Sequence, residues 1–187
     1  MSVAAEHSDE ILALVLLSTT LFFDGWNVSR LRGLLPLAYF TPIRYFASVS
    51  EKSPYGLKNE KLRREVARDM QRSGFSHAGT AAIPMTAIFQ AHRLIKSVKN
   101  RLSKVRTPTL LIHGVEDDVA SVKSADYVQH HIGSNRVEKV LLSDSYHMIT
   151  LDNEHRLVAD RTLCFLRDAI QQRAHQGPSI DFLLAVA

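Results

Sequence analysis

The stretch Thr107-Pro108-Thr109-Leu110-Leu111-Ile112-His113-Gly114-Val115-Glu116-Asp117-Asp118 decides how the chain is read, together with its counterpart Ser143-Asp144-Ser145-Tyr146-His147-Met148-Ile149. The first holds a short apolar run that halts in a turn at Gly114 and delivers Asp117. That is the pattern of a strand buried on both faces, with an acid at its carboxyl end. A second apolar run, Val137 to Leu142, halts in a polar turn that delivers His147. Between them, Ser121 stands in N-cap position, Ala125, Val128 and Ile132 form an apolar stripe, and Gly133 marks a stop, so a helix is predicted over Ser121 to Ile132. The unit is strand, helix, strand, with an acid after the first strand and a histidine after the second.

A carboxylate that accepts a hydrogen bond from one imidazole nitrogen fixes the tautomer and leaves the other nitrogen to take a proton. Two thirds of a hydrolytic triad are therefore in view. Spacing alone leaves the pair open, because acids and histidines at neighbouring strand ends are common in α/β proteins.

Outward from this unit, the 187 residues are 45% hydrophobic and 22% charged, which fits one globular domain with a substantial core. A third strand is predicted near residues 11–17. From Asp24 to Arg106 the pattern turns helical, without strand-like alternation. Leu62, Val66 and Met70 make one apolar stripe, and Ile88, Ala91, Ile95, Val98 and Leu102 another. Pro36, Pro42, Pro54 and Pro84 punctuate the remainder. The chain closes with Asp152 or Asn153 as N-cap of a helix running through Ile170, whose stripe is Val158, Thr162, Phe165, Leu166 and Ala169. Gly177-Pro178 ends it, and the apolar tail Ile180 to Ala187 has no periodic partner. The single Cys164 is read as a core thiol. It has no internal disulfide partner and no zinc-spaced Cys or His.

Several function classes are disfavoured. Arg93, Lys96, Lys99, Arg101, Lys104 and Arg106 crowd one helix and its exit, and the net charge is +4. No aromatic residues interleave to stack bases, so a solvated face is expected and no nucleic-acid partner. His130-His131 and the other histidines lack metalloprotease spacing, so no metal and no cofactor are expected. The run Ile11 to Phe23 is too short and too interrupted for a membrane span, and Met1 to Glu10 lacks a basic flank, so a cytoplasmic protein is expected.

The run from Thr107 through His147 to Leu166 resembles the end of an α/β-hydrolase of the carboxylesterase and monoacylglycerol-lipase type. Ile11 to Ser18 resembles the strand before the cap of such enzymes. Asp24-Gly25-Trp26 and the segment Ser73 to Gly79 are similar to cap-region sequence, and Val3 to His7 to the last turns of the helix after the nucleophile strand. The 30-residue separation of Asp117 and His147 suits the family. The resemblance implies a partial α/β-hydrolase fold of three parallel strands, near residues 11–17, 109–113 and 137–142, with flanking helices. Residues 1–23 and 107–187 would form the core portion and 24–106 a helical cap.

The implied reaction is hydrolysis of a carboxylic ester, lipid or small, with an apolar acyl group. Asp117 and His147 are the implied catalytic residues, and Leu34, Leu35, Leu37, Phe40 and Phe46 are candidates to line the acyl site. Asp117 aligns with the family acid when His113-Gly114 is taken as the strand's end. Asp118 and Asp24 are the alternatives, Asp24 because some relatives place the acid after the strand that precedes the cap. Asp144 reads as a turn residue and Tyr146 as packing for the His147 loop.

The resemblance also implies a serine in a Gly-x-Ser-x-Gly elbow, and no such pentapeptide occurs in this sequence. The nearest string, Gly74-Phe75-Ser76-His77-Ala78-Gly79, is one residue too long and lies in the cap-like region. The expectation is a truncated hydrolase without its own nucleophile. Loss of the oxyanion donors, each worth roughly 3–4 kcal/mol in the transition state, would follow. The alternative is a non-catalytic binding protein of hydrolase descent. An unpaired edge on the strand near residues 11–17 would favour self-association.

Overall fold

The computed structural model describes residues 1–29, 33, 37, 39–76 and 79–175. In chain order they form α1 (Ser2–Glu6), β1 (Leu14–Leu17), a 3₁₀ turn (Pro42–Tyr45), β2 (Ser48–Ser50), α2 (Glu60–Ser73), β3 (Phe75–Ser76), β4 (Gly79–Thr80) and β5 (Ala82–Pro84). There follow α3 (Met85–Lys99), a second 3₁₀ turn (Leu102–Lys104), β6 (Thr109–Gly114), α4 (Lys123–His131), β7 (Val137–Leu142) and α5 (His155–His175).

The main sheet is parallel, in the order β1-β6-β7, with Leu14 beside Thr109 and Thr109 beside Val137. β6 is central and buried at all six positions, which is why its sequence runs apolar without alternation. Its side chains divide between two layers. Leu110 and Ile112 pack with Leu142, Ile149, Val158 and Phe165 beneath α5. Leu111 points the other way, onto Val98, Leu102 and Val128 of the α3 and α4 layer. Ser124 at the start of α4 accepts the Leu21 and Phe22 N–H groups and so ties the chain leaving β1 to this layer.

The region between β1 and β6 holds the two expected helices. α2 is N-capped by Asn59, whose side chain accepts from Lys61 N and Leu62 N, and is stopped by Gly74 at φ 74°. Val66 and Met70 pack on Leu57, with Met148 at the margin. Contrary to the sequence reading, this region also carries strands: β2 pairs antiparallel with β5, and β3 with β4. Strands of two or three residues are too short to show a period of two, and the β2 and β5 partners lie more than 30 residues apart in sequence.

α5 buries Val158, Phe165 and Ala169 as its stripe predicts, and Arg136 lies over the Phe165 ring. Cys164 is exposed, not in the core. One residue before Phe165 on a helix, it is rotated about 100° off the buried stripe. Gly177-Pro178 and the tail 180–187 lie outside the described residues. No helix among the described residues is long and apolar enough to cross a membrane.

Candidate active site

The carboxyl ends of β6 and β7 each release a loop, and the two loops meet. Gly114 makes the meeting possible, since a Cβ there would lie 2.6 Å from Ser145 O and 2.8 Å from Tyr146 O. Three residues on, Asp117 is buried, and its Oδ1 accepts the Val119 and Ala120 N–H groups at 2.8 Å each. Its Oδ2 accepts from His147 Nδ1 at 2.8 Å. An ionised carboxylate only accepts, so Nδ1 carries the proton and Nε2 presents its lone pair. The His147 side chain is 23% exposed while that of Asp117 is fully buried. The imidazole is therefore held on one side and open on the other.

A second imidazole escaped the sequence reading. His113 is 1% exposed at the end of β6, its Nε2 donates to Ala120 O at 2.8 Å, and the same nitrogen lies 3.4 Å from Asp117 Oδ2. It backs the carboxylate from within the sheet. Its position inside an apolar run was the available signal, since an unpaired imidazole is costly there.

The alternative acids are engaged elsewhere. Asp24 accepts from Ser121 N and Ser121 Oγ, both at 2.9 Å, at the entrance to α4. The turn that follows Asp24 joins the acid loop, with Gly25 N donating to Val119 O and Asn27 N to Asp118 O. Asp118 is 1% exposed, and its Oδ2 accepts from Gly56 N at 3.3 Å. Burial, and then the neighbouring Asp117, push the Asp118 carboxyl above the ordinary range. The carboxyl of Glu51 is also raised, first by loss of solvation and then by Asp118.

The His147 loop is fastened by a residue that the sequence reading assigned only to a helix cap. α5 begins at His155, and Asp152 sits in the turn before it, 1% exposed. Its carboxylate accepts from Lys58 N (2.7 Å), Asn59 N (2.9 Å), Tyr146 N (2.9 Å) and Asn153 N (3.0 Å). Beside it, Ser145 Oγ donates to Glu154 Oε2, which also accepts from Asp144 N. Tyr146 packs edge-on against Trp26, whose indole N–H donates to Glu116 O. Among the described residues no group of three or more His, Cys, Asp or Glu side chains is placed to hold a metal ion.

Of the candidate acyl-lining residues, three are described. Leu34 and Leu35 lie outside the described residues. Leu37, Phe40 and Phe46 are 68%, 90% and 89% exposed, so they sit on the surface around the first 3₁₀ turn. Ser76 lies in the β3–β4 pair opposite Gly79.

A parallel sheet whose neighbouring strand ends bring an acid and a histidine into hydrogen-bond contact is the architecture of the α/β-hydrolases of lipase and esterase kind. The fold matches a soluble variant of monoglyceride lipase from Saccharomyces cerevisiae in complex with a substrate analog, with a TM-score of 0.70, 16% identity, and 90% of this chain and 60% of that one covered. Residues 1–154 match the family described as serine aminopeptidase, S33, and the chain belongs to that family. It is 28% identical over 100 residues to the thermostable monoacylglycerol lipase of Bacillus sp. (strain H-257), covering 54% of this chain and 40% of the relative. To 3-oxoadipate enol-lactonase 1 of Acinetobacter baylyi (strain ATCC 33305 / BD413 / ADP1) it is 27% identical over 143 residues, covering 72% of this chain and 46% of the relative. The chain thus spans less than half the length of either of these two relatives.

Proposed function

We propose that this chain provides the acid and the base of a serine-type ester hydrolase whose substrates are carboxylic esters, lipid or small, with an apolar acyl group. The observation that carries the reading is the 2.8 Å contact between His147 Nδ1 and Asp117 Oδ2, with Nε2 left open. His147 would take the proton of an attacking serine hydroxyl at Nε2 and return it to the leaving alcohol. Asp117 would hold the tautomer and stabilise the imidazolium. The relatives named as a monoacylglycerol lipase and an enol-lactonase support ester chemistry as the class. The segment 24–106 would act as the cap.

The 187 residues contain no Gly-x-Ser-x-Gly, so on their own they should not turn over p-nitrophenyl esters. The test is a pair of proteins: the chain alone, and the chain fused behind a strand and elbow that carry Gly-x-Ser-x-Gly. Hydrolysis and fluorophosphonate labelling are expected only in the fusion, with hydrolysis abolished by His147→Ala. Turnover by the chain alone at ordinary esterase rates, or a folded fusion indifferent to His147→Ala, would overturn the reading.

The missing pentapeptide also favours a second reading, a non-catalytic interaction protein of hydrolase descent. Failure of every folded fusion to label would favour it.

A further inference from the structure

Asp117 has an evident task, but its neighbour does not. Asp118 is 1% exposed, its Oδ2 accepts one N–H, from Gly56, and its buried Oδ1 has no hydrogen-bond partner among the described residues. A buried carboxyl with one oxygen left without a partner destabilises a fold.

What it holds is informative. Gly56 receives Asp118 through its N–H, and through its C=O accepts the Met148 N–H at 2.8 Å. The Gly56 peptide therefore links Asp118 to the residue that follows His147. The approach is close: a Cβ on Gly56 would lie 3.2 Å from His147 Cβ and 2.8 Å from Met148 Cγ. On the far side, Lys58 N and Asn59 N are fixed by Asp152, which also holds Tyr146 N. The histidine thus has residue 146 anchored before it and residue 148 after it, both through the segment 56–59. Asp117 fixes the ring, while the second acid of the pair reaches the main chain that carries the ring.

We infer that Asp118 is a positioning residue for His147, acting through the Gly56 peptide. The catalytic consequence rests on the proposed hydrolase reading, but the positional claim does not, because it can be read on the His147–Asp117 hydrogen bond itself.

The experiment uses the full 187-residue chain and the low-field proton resonance of His147 Nδ1–H, assigned by its disappearance in His147→Ala. Asp118→Ala, with its folded state checked by circular dichroism, is expected to lose this resonance through exchange with water. Asp118→Asn, whose amide oxygen still accepts from Gly56 N, is expected to keep it. If Asp118→Ala does not fold, Gly56→Ala disrupts the same link from its other end with Asp118 intact, and the resonance should again be lost. Retention of the signal in folded Asp118→Ala, or in folded Gly56→Ala where that stands in, would overturn the inference, as would its loss in Asp118→Asn. In a hydrolytically competent fusion, Asp118→Ala should lower kcat about 100-fold with KM little changed, the expected effect of displacing a catalytic group by roughly 1 Å. A hydrolase reading that failed would leave the resonance pattern unchanged, and a resonance pattern that failed would leave hydrolysis unchanged.

Discussion

Substituting alanine at two glycines of nearly equal φ isolates how tightly the His147 loop is packed. Gly56 and Gly74 have φ of 72° and 74°, so each Gly→Ala pays the same left-handed penalty of about 1 kcal/mol. At Gly74, the C-cap of α2, a Cβ would meet nothing within 4 Å, and that penalty is the whole effect. At Gly56 the Cβ would lie 2.8 Å from Met148 Cγ, 3.2 Å from His147 Cβ and 3.4 Å from Met148 N. The Met148 side chain is flexible and can turn aside. The His147 Cβ is fixed by its own backbone, so the loop itself must shift. Forced overpacking of this kind adds roughly 1–3 kcal/mol, giving about 2–4 kcal/mol at Gly56 against about 1 kcal/mol at Gly74. For a chain of this size the melting temperature should fall by roughly 4–16 °C in Gly56→Ala and roughly 2–4 °C in Gly74→Ala. Scanning calorimetry at a fixed rate, with urea unfolding as a check, measures both. Equal losses would refute the reasoning, because the segment around Gly56 would then not be packed against the histidine.

Asp118→Asn should stabilise the protein at neutral pH. The folded state binds the Asp118 proton more tightly than the unfolded chain does, because burial and Asp117 raise this carboxyl more than its own main-chain N–H, His147 and the Gly56 N–H lower it. Ionisation therefore weakens the fold as pH rises, and the advantage of Asn over Asp should shrink as pH falls toward the ordinary carboxylate value of 3.8. Urea unfolding at neutral and acidic pH checks this, and an advantage independent of pH would contradict it. Asp152→Ala removes the acceptor of four main-chain N–H groups, each worth about 1–3 kcal/mol if left unsatisfied, so a loss of at least about 3 kcal/mol is expected by denaturant titration. Asp152→Asn, which keeps one acceptor oxygen, should lose less. Among the described residues β1 pairs only with β6, so concentration-dependent self-association through its other edge is expected in size-exclusion chromatography. A monodisperse monomer at high concentration would count against it.

Which of these features the sequence announces follows from the range over which each is encoded. β6 is legible because burial on both faces leaves a continuous apolar run, and α4 and α5 because a helix writes its buried stripe every three or four residues. Asp117 and His147 are legible because each follows directly on a strand that is itself legible. The links that hold the histidine are different. Gly56 meets Asp118 across 62 residues, and Lys58 meets Asp152 across 94, so no local pattern records either contact. Cys164 shows the same limit in reverse, since a helical pattern establishes that a stripe is buried without assigning every apolar neighbour to it.

The same long-range contacts bear on what a cap would be in this fold. A lid independent of the core would leave the histidine loop intact when it moved. Here the segment 56–59, in the stretch between β1 and β6, hydrogen-bonds to residue 148 directly and to residue 146 through Asp152, and its Leu57 and α2 core includes Met148. Asp118 O also accepts from Asn27 N, so the chain leaving β1 is attached to the loop after β6 as well. The loops that carry Asp117 and His147 are thus both braced by residues from the stretch between β1 and β6. A displacement of residues 56–59 that breaks the Gly56–Met148 hydrogen bond is therefore expected to shift the main chain of His147, and the His147 Nδ1–H resonance would report it.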